Sequence, residues 1–313
     1  MIILTETGVL GLKAAGDVSP QRLWEGSAVC AAALRDGFVA ISADGKLTVA
    51  RGGALRSFDT GLPSLPTSLL VLVEDPLDLL IGAEPPYLFR WSETAGLRRN
   101  ESFAALACRD TWTTPWGGPA AVRSLASPDG RAVYADIHVG SIMRSLDGGT
   151  TWEPVTPTLN VDVHRVAACP AAPERVYANT ARAVYVSDDR GESWSTRGDG
   201  LAHAYGREIA VHPEQSDVLL ATISDGPHGT DVHGRLLGSF DGGLSWHPVT
   251  GDFPGSVPEN IDTHHVAYDL SGTAWACVGP GLYRSDDRGL GWVRHCQLSA
   301  PIRLLHVRAA CSQ

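Results

Sequence analysis

Two phrases of this 313-residue chain carry side chains suited to chemistry at matching positions. Asn160-Val-Asp-Val-His-Arg-Val-Ala167 and Asn260-Ile-Asp-Thr-His-His-Val-Ala267 align on their final alanines, which makes His164 and His264 equivalent. Gly206-Arg-Glu-Ile-Ala210 sets Arg207 at the same position, and Ala121-Val-Arg-Ser-Leu-Ala126 sets Arg123 there. Ile302-Arg-Leu-Leu-His-Val307 sets Arg303 there with a looser alignment. A guanidinium offers a planar fork that matches carboxylate or phosphate. Arg123, His164, Arg207, His264 and Arg303 are therefore the expected binding residues for a small anionic ligand. Asp162, Glu208 and Asp262 offer the competing explanation, in which they neutralise these groups as part of a hydrated polar lining. A third chemistry is metal binding. His138, His228 and His233 fall between predicted second and third strands, and together with His164 and His264 they could surround a divalent transition metal. No HxH or HExxH spacing accompanies them. Tyr205 beside Glu208 is the nearest approach to a nucleophile and its partner, and no catalytic set is assigned.

These positions recur because the chain itself recurs. Ser145-Leu-Asp-Gly-Gly-Thr-Thr-Trp152 returns as Ser187-Asp-Asp-Arg-Gly-Glu-Ser-Trp194, as Ser239-Phe-Asp-Gly-Gly-Leu-Ser-Trp246 and as Ser285-Asp-Asp-Arg-Gly-Leu-Gly-Trp292. The common frame is a hairpin turn. Its Asp bonds backbone N–H groups just ahead, its Gly takes positive φ, and its Trp packs on the buried side of the hairpin. The carboxylates of Asp147, Asp189, Asp241 and Asp287 are thus expected to be structural rather than catalytic.

The frame resembles the Asp-box (BNR) repeat of sialidase-like β-propellers. That resemblance implies an all-β ring of blades, with the boxes at the periphery and the first strand of each blade lining a central channel. On that implication Arg123, His164, Arg207, His264 and Arg303 gather near one mouth of the channel.

Spacing sets the blade count. The apolar stretches at Leu10, Leu47, Leu88, Ile142, Val184, Leu236 and Leu282 follow one another at intervals of 37, 41, 54, 42, 52 and 46 residues, and 41 residues close the circle through the two termini. This predicts a single seven-bladed propeller over 1–313, made of four-stranded antiparallel blades. The first blade is shared by about 1–25 and 299–313, so that pairing of the terminal strands closes the ring. Inserts at Thr111–Gly118 and Ser224–Gly234 exceed their counterparts and are candidate functional loops.

Composition narrows the classes. A formal charge of −10 excludes a general nucleic-acid binder, and only Lys13 and Lys46 are lysines. No apolar run reaches membrane-spanning length, and the start Met1-Ile-Ile-Leu-Thr-Glu-Thr-Gly8 lacks the pattern of a secretory signal, so a soluble cytoplasmic protein is expected. Cys30, Cys108, Cys169, Cys277, Cys296 and Cys311 show no metal-type spacing and read as free thiols.

Two functional classes stay open. One is a propeller that binds a small anionic or metal-bound ligand at the channel mouth, with or without catalysis. The other comprises a glycoside hydrolase of sialidase-like architecture and a non-catalytic scaffold or assembly factor. The Arg-Ile-Pro motif of sialidases is absent. A two-propeller xyloglucanase keeps its site between two propellers, of which this length supplies one. A protein partner is left open.

Overall fold

The computed structural model describes residues 1–12, 19–155, 158–198, 201, 205–229 and 231–307. Its strands form seven sheets. In chain order the inner strands of blades 2 to 7 are Cys30–Leu34, Leu65–Glu74, Val122–Ala126, Val163–Cys169, Tyr205–Val211 and Val266–Tyr268, each followed outward by antiparallel neighbours. Blade 1 takes its inner strand, Ile302–His306, from the far end of the chain. That strand pairs with Ile2–Thr5, which continues through Gly8–Gly11 to Gln21–Glu25. The ring is therefore closed by the two termini, as the circular spacing predicts. Blade 7 carries one addition: Thr250–Gly251 runs parallel to its outer strand and covers that edge.

The core is distributed between blades. Seven buried clusters fill the seven interfaces, from the Leu47–Leu79–Trp91 cluster between blades 2 and 3 to the Ile3–Trp275–Leu305 cluster between blades 7 and 1. Each sheet buries both faces against its neighbours, which explains why the middle strands read as continuous apolar runs such as Leu77–Glu84. Among the described residues Cys30, Cys108, Cys169, Cys277 and Cys296 are free thiols; Cys311 lies outside them. Among the described residues no helix is long and apolar enough to cross a membrane.

The repeated phrase forms the turn between third and outer strands in blades 4 to 7. In blade 5 the Asp189 carboxylate accepts from the Ser187 hydroxyl at 2.7 Å, the Ser193 N–H at 2.9 Å and the Ser193 hydroxyl at 2.5 Å. Gly191 sits at φ +89°, and its N–H donates to Ser187 Oγ at 2.6 Å. Asp147 and Asp241 repeat the pattern. At Asp287 the hydroxyl donor is replaced by Gly291, whose N–H alone donates, at 2.8 Å. These carboxylates are consumed by their own turns. Asp189→Ala is accordingly expected to cost about 0.5–2 kcal/mol of stability, by analogy with a lost helix cap. Urea titration checks the loss, and ligand binding at the channel should be unchanged.

Candidate functional site

The inner strands run the same way along the channel, so their N-terminal ends define one mouth, here the upper, and their C-terminal ends the lower. At the upper end the inner strands of blades 1, 3, 4, 5 and 6 each hold one extra residue against their neighbour. The bulged positions are Arg303, Thr67, Arg123, His164 and the Arg207–Glu208 pair. A bulge breaks the alternation of the strand and re-aims its side chain.

Over blades 4 to 6 these bulges underlie a cleft of about 870 Å³. Its lining includes Trp116, His138, Asp162, Arg182, Tyr205 and Arg207. Both sequence inserts border it: Pro115 and Trp116 come from the blade 3–4 connection, and Ser224–His228 from the blade 6 connection. The first insert is larger than expected. It begins with a helical turn at Glu101–Ala104, capped by Asn100, and a 3-10 turn at Ala107–Thr111.

His164 is fully buried, and its Nδ1 lies 2.5 Å from the Gly206 carbonyl oxygen. That contact makes Nδ1 the protonated nitrogen and leaves Nε2 an acceptor, with the Tyr205 hydroxyl 3.4 Å away. Residue 206 has to be glycine, because a Cβ would stand 1.8 Å from Asn179 Oδ1. Asp162 lies two residues ahead on the same side of the extended chain. Its Oδ1 is 3.1 Å from His164 Nε2 and 3.6 Å from His138 Nε2. His138 follows the second strand of blade 4 and is held by its backbone N–H on Ala121 O at 3.2 Å. The three ligand atoms lie within 4.8 Å of one another. Aromatic rings flank them, with Trp116 5.0 Å from the His138 ring and Tyr205 5.0 Å from the His164 ring.

Beside this cluster Arg123 and Arg207 share Asp262, at 3.7 and 3.4 Å from its Oδ1. Arg207 also donates to Pro227 O at 3.0 Å, and its Nε is buried with no acceptor. Arg182 makes no ion pair among the described residues and stands exposed on the wall.

Burial, reinforced by Arg123, pushes the His138 imidazole down to about 4 and lowers His164 as well, so both are neutral near pH 7. For Asp162 burial would raise the carboxyl, but His164 and His138, in the protonated forms they take in acid, and Arg123 outweigh it and hold it low. Asp262 is likewise held low, against its own burial, by Arg207, the Thr263 N–H and Arg123.

Below the cleft the channel is plugged by a second polar cluster. Arg165 Nε is 3.0 Å from Glu208 Oε1, and Arg165 Nη1 is 3.0 Å from His264 Nδ1. Glu208 also accepts the backbone N–H groups of Ile209, at 3.1 Å, and of His264. This cluster borders a small cavity of about 190 Å³ at the lower mouth, lined by Arg165, Glu208, His264 and His306.

The five aligned residues thus separate. Arg123, His164 and Arg207 come together at the upper mouth. His264 does not join them: its backbone is left-handed at φ +68°, its N–H is tied to Glu208, and its ring faces the lower cavity. Arg303 occupies the equivalent bulge in blade 1 but turns outward to Glu6 at 2.8 Å and does not line the cleft. Of the five candidate metal histidines, only His138 and His164 stand together. His228 is exposed on the cleft rim, and His233 pairs with Asp225 at 2.8 Å. Trp116 and the ligand geometry of Asp162 were not anticipated. The Asp-x-His spacing at 162–164, which places both side chains on one side of an extended chain, is the sequence signal that could have shown the latter.

The geometry has counterparts among known proteins. The family model for sortilin (neurotensin receptor 3), Sortilin-Vps10, matches residues 140–257, a stretch that begins in blade 4 and runs past blade 6. A probable oligoxyloglucan-reducing end-specific xyloglucanase of Neosartorya fischeri is 27% identical over 185 residues, covering 51% of this chain and 22% of its own length. The chain therefore spans about a fifth of that relative. Among solved structures, YCF48 from Cyanidioschyzon merolae superposes with a TM-score of 0.59 at 14% identity, over 94% of this chain and 87% of that one. The GH74 xyloglucanase from Xanthomonas campestris gives 0.55 at 15% identity, over 94% and 46%. The WD40 propeller domain of Doa1 gives 0.59 at 14%, over 88% and 84%. At these identities the structures share the fold alone. Together the matches support a β-propeller family, and the sheets define a seven-bladed member.

Proposed function

We propose that this propeller binds a small anionic ligand in the cleft of its upper mouth and acts by recognition rather than by hydrolysis. The observation that carries this reading is the sharing of one carboxylate, Asp262, by two largely buried guanidiniums, Arg123 and Arg207, with Arg182 beside them making no ion pair among the described residues. Arg207 Nε, buried without an acceptor, is a donor that a ligand carboxylate or phosphate can satisfy once it displaces the Pro227 loop. The long inserts border this cleft, where loop variation on a rigid ring confers specificity.

Glycoside hydrolysis, the activity named for the fungal relative, requires one carboxyl that stays protonated to act as the acid. Of the carboxyls at and beside the cleft, Asp162 and Asp262 are held low, and Asp225 is paired with His233 and Arg235. The raised ones, Asp136 and Glu208, are fully buried beneath its floor. A binding role fits this distribution of charge better.

Calorimetric titration with inorganic phosphate, acetate and succinate at low salt tests the reading. At least one should bind, and Arg207→Ala should weaken it by about 1.5–3 kcal/mol, the range for charged hydrogen bonds. Absence of binding across the panel, or binding indifferent to Arg207→Ala, would sink it.

A further inference from the structure

The contact between Asp162 and His164 has an unusual geometry. Oδ1 lies 3.1 Å from Nε2, near enough for a hydrogen bond, yet it is buried with no hydrogen-bond partner. The imidazole axis is therefore not aimed at the oxygen. His164 has its proton on Nδ1, committed to Gly206 O, so its Nε2 electron pair lies beside Oδ1, with the Tyr205 hydroxyl approaching the same nitrogen at 3.4 Å. His138 Nε2 approaches Oδ1 from 3.6 Å.

Donors that share an ion do not point at each other; they point at the ion. With bonds of about 2.0–2.2 Å, two ligand atoms at a right angle stand about 3.0 Å apart, and at the tetrahedral angle about 3.4 Å. In the first case each donor axis is offset by about 45° from the line joining the pair, which is too oblique for a hydrogen bond. The distances of 3.1 and 3.6 Å and the orphaned Oδ1 match that arrangement.

We propose that His138 Nε2, Asp162 Oδ1 and His164 Nε2 form a site for one divalent transition-metal ion, open on the side of the cleft. Two imidazoles and one carboxylate suit a borderline first-row ion and leave coordination positions for water or an anion. The Gly206 carbonyl supplies the outer contact that fixes the His164 tautomer, as ligating histidines require. The ion site stands on its own geometry. It also deepens the anion-binding reading, on which its role as an anchor for that ligand rests.

The test uses the full chain after treatment with chelator and dialysis. Titration with Co2+ alone, followed by its visible d–d absorption, should show one equivalent bound, with band positions and intensities of a nitrogen- and oxygen-ligated ion. Zn2+ should displace it. Asp162→Asn and His138→Gln, at partly exposed positions, should each weaken Co2+ binding by more than the roughly hundredfold that loss of an outer-shell partner can cost, and His164→Ala should do the same. His228→Ala and His233→Ala should leave it unchanged. Thermal unfolding without metal confirms that each variant folds. If His164→Ala fails to fold, the other two ligand variants decide the matter. No stoichiometric Co2+ uptake by the native sequence, or uptake that survives Asp162→Asn and His138→Gln, overturns the site. Titration of the metal-free and Co2+-loaded forms with the same three anions separates the two proposals. Co2+ uptake with no binding of phosphate, acetate or succinate in either form leaves the metal site standing and removes the anion reading. Phosphate binding without Co2+ uptake does the reverse.

Discussion

Removing residues 302–313 is expected to abolish cooperative folding. The segment contains the inner strand of blade 1, which pairs with Ile2–Thr5 and, among the described residues, joins the two ends of the chain in that sheet. Ile302 and Leu305 are buried against blade 7, and Leu304 is buried against blade 2. Further bonds seal the seams: Leu305 N–H donates to His264 O at 2.8 Å, and Ala33 N–H donates to His306 Nδ1 at 3.1 Å. Losing three buried aliphatic side chains at about 2–5 kcal/mol each approaches the entire stability of an ordinary domain, about 5–15 kcal/mol. The deletion also bares the Ile2–Thr5 edge, a template for pairing with other chains. Calorimetry should show no sharp transition, and sedimentation should show aggregates. A truncated protein that stays monomeric and melts as the full chain does would contradict closure by this strand.

The ring was legible in the sequence because its signal is local and repeated. Each box sets its own turn through Asp189 or an equivalent, and the spacing of the boxes measures the blade. Where the box has decayed, in blades 1 to 3, the spacing of the apolar strands carried the count. The site was only partly legible. Arg123, His164 and Arg207 align because the bulges that aim them occupy equivalent places in blades 4 to 6. The same alignment fails for His264, although its phrase closely matches that of His164. The inner strand of blade 7 is only three residues long, and the left-handed backbone before it swings the ring toward the lower cavity. Arg303 has the right strand position but the wrong neighbour: Glu6, in the turn after Ile2–Thr5, captures it. His138 was flagged by its residue type alone. Its meeting with Asp162 joins two blades, and no periodicity within one chain segment records a contact across blades.

Glu208 should make stability fall as the solution turns from acid to neutral. This carboxyl is fully buried, and burial raises it to about 7, against the opposing pull of Arg165 and the N–H groups of His264 and Ile209. In the unfolded chain the same group titrates near the ordinary glutamate value of 4.5. Between those two values the folded protein holds a proton that the unfolded chain has released. Glu208 therefore favours folding fully below about pH 4.5, and this contribution is lost as pH rises through about 7. The shift corresponds to a change on the order of 3 kcal/mol across the window. Other groups titrate over the same range, notably His264 and His306, whose lowered values give the opposite slope. The contribution of Glu208 is therefore isolated by comparison with Glu208→Gln, which keeps the shape and cannot ionise. At pH 5 the native carboxyl is protonated and the variant forfeits no ion pair. Above pH 7 the attraction of Arg165 is already contained in the folded value of about 7, so it does not reverse the trend. Urea unfolding of both proteins at pH 5 and pH 8 should show the native chain losing ground to the variant as pH rises. A stability difference that stays constant between those pH values, or one that moves in favour of the native chain, would mean that Arg165 overcomes burial and that Glu208 is ionised throughout.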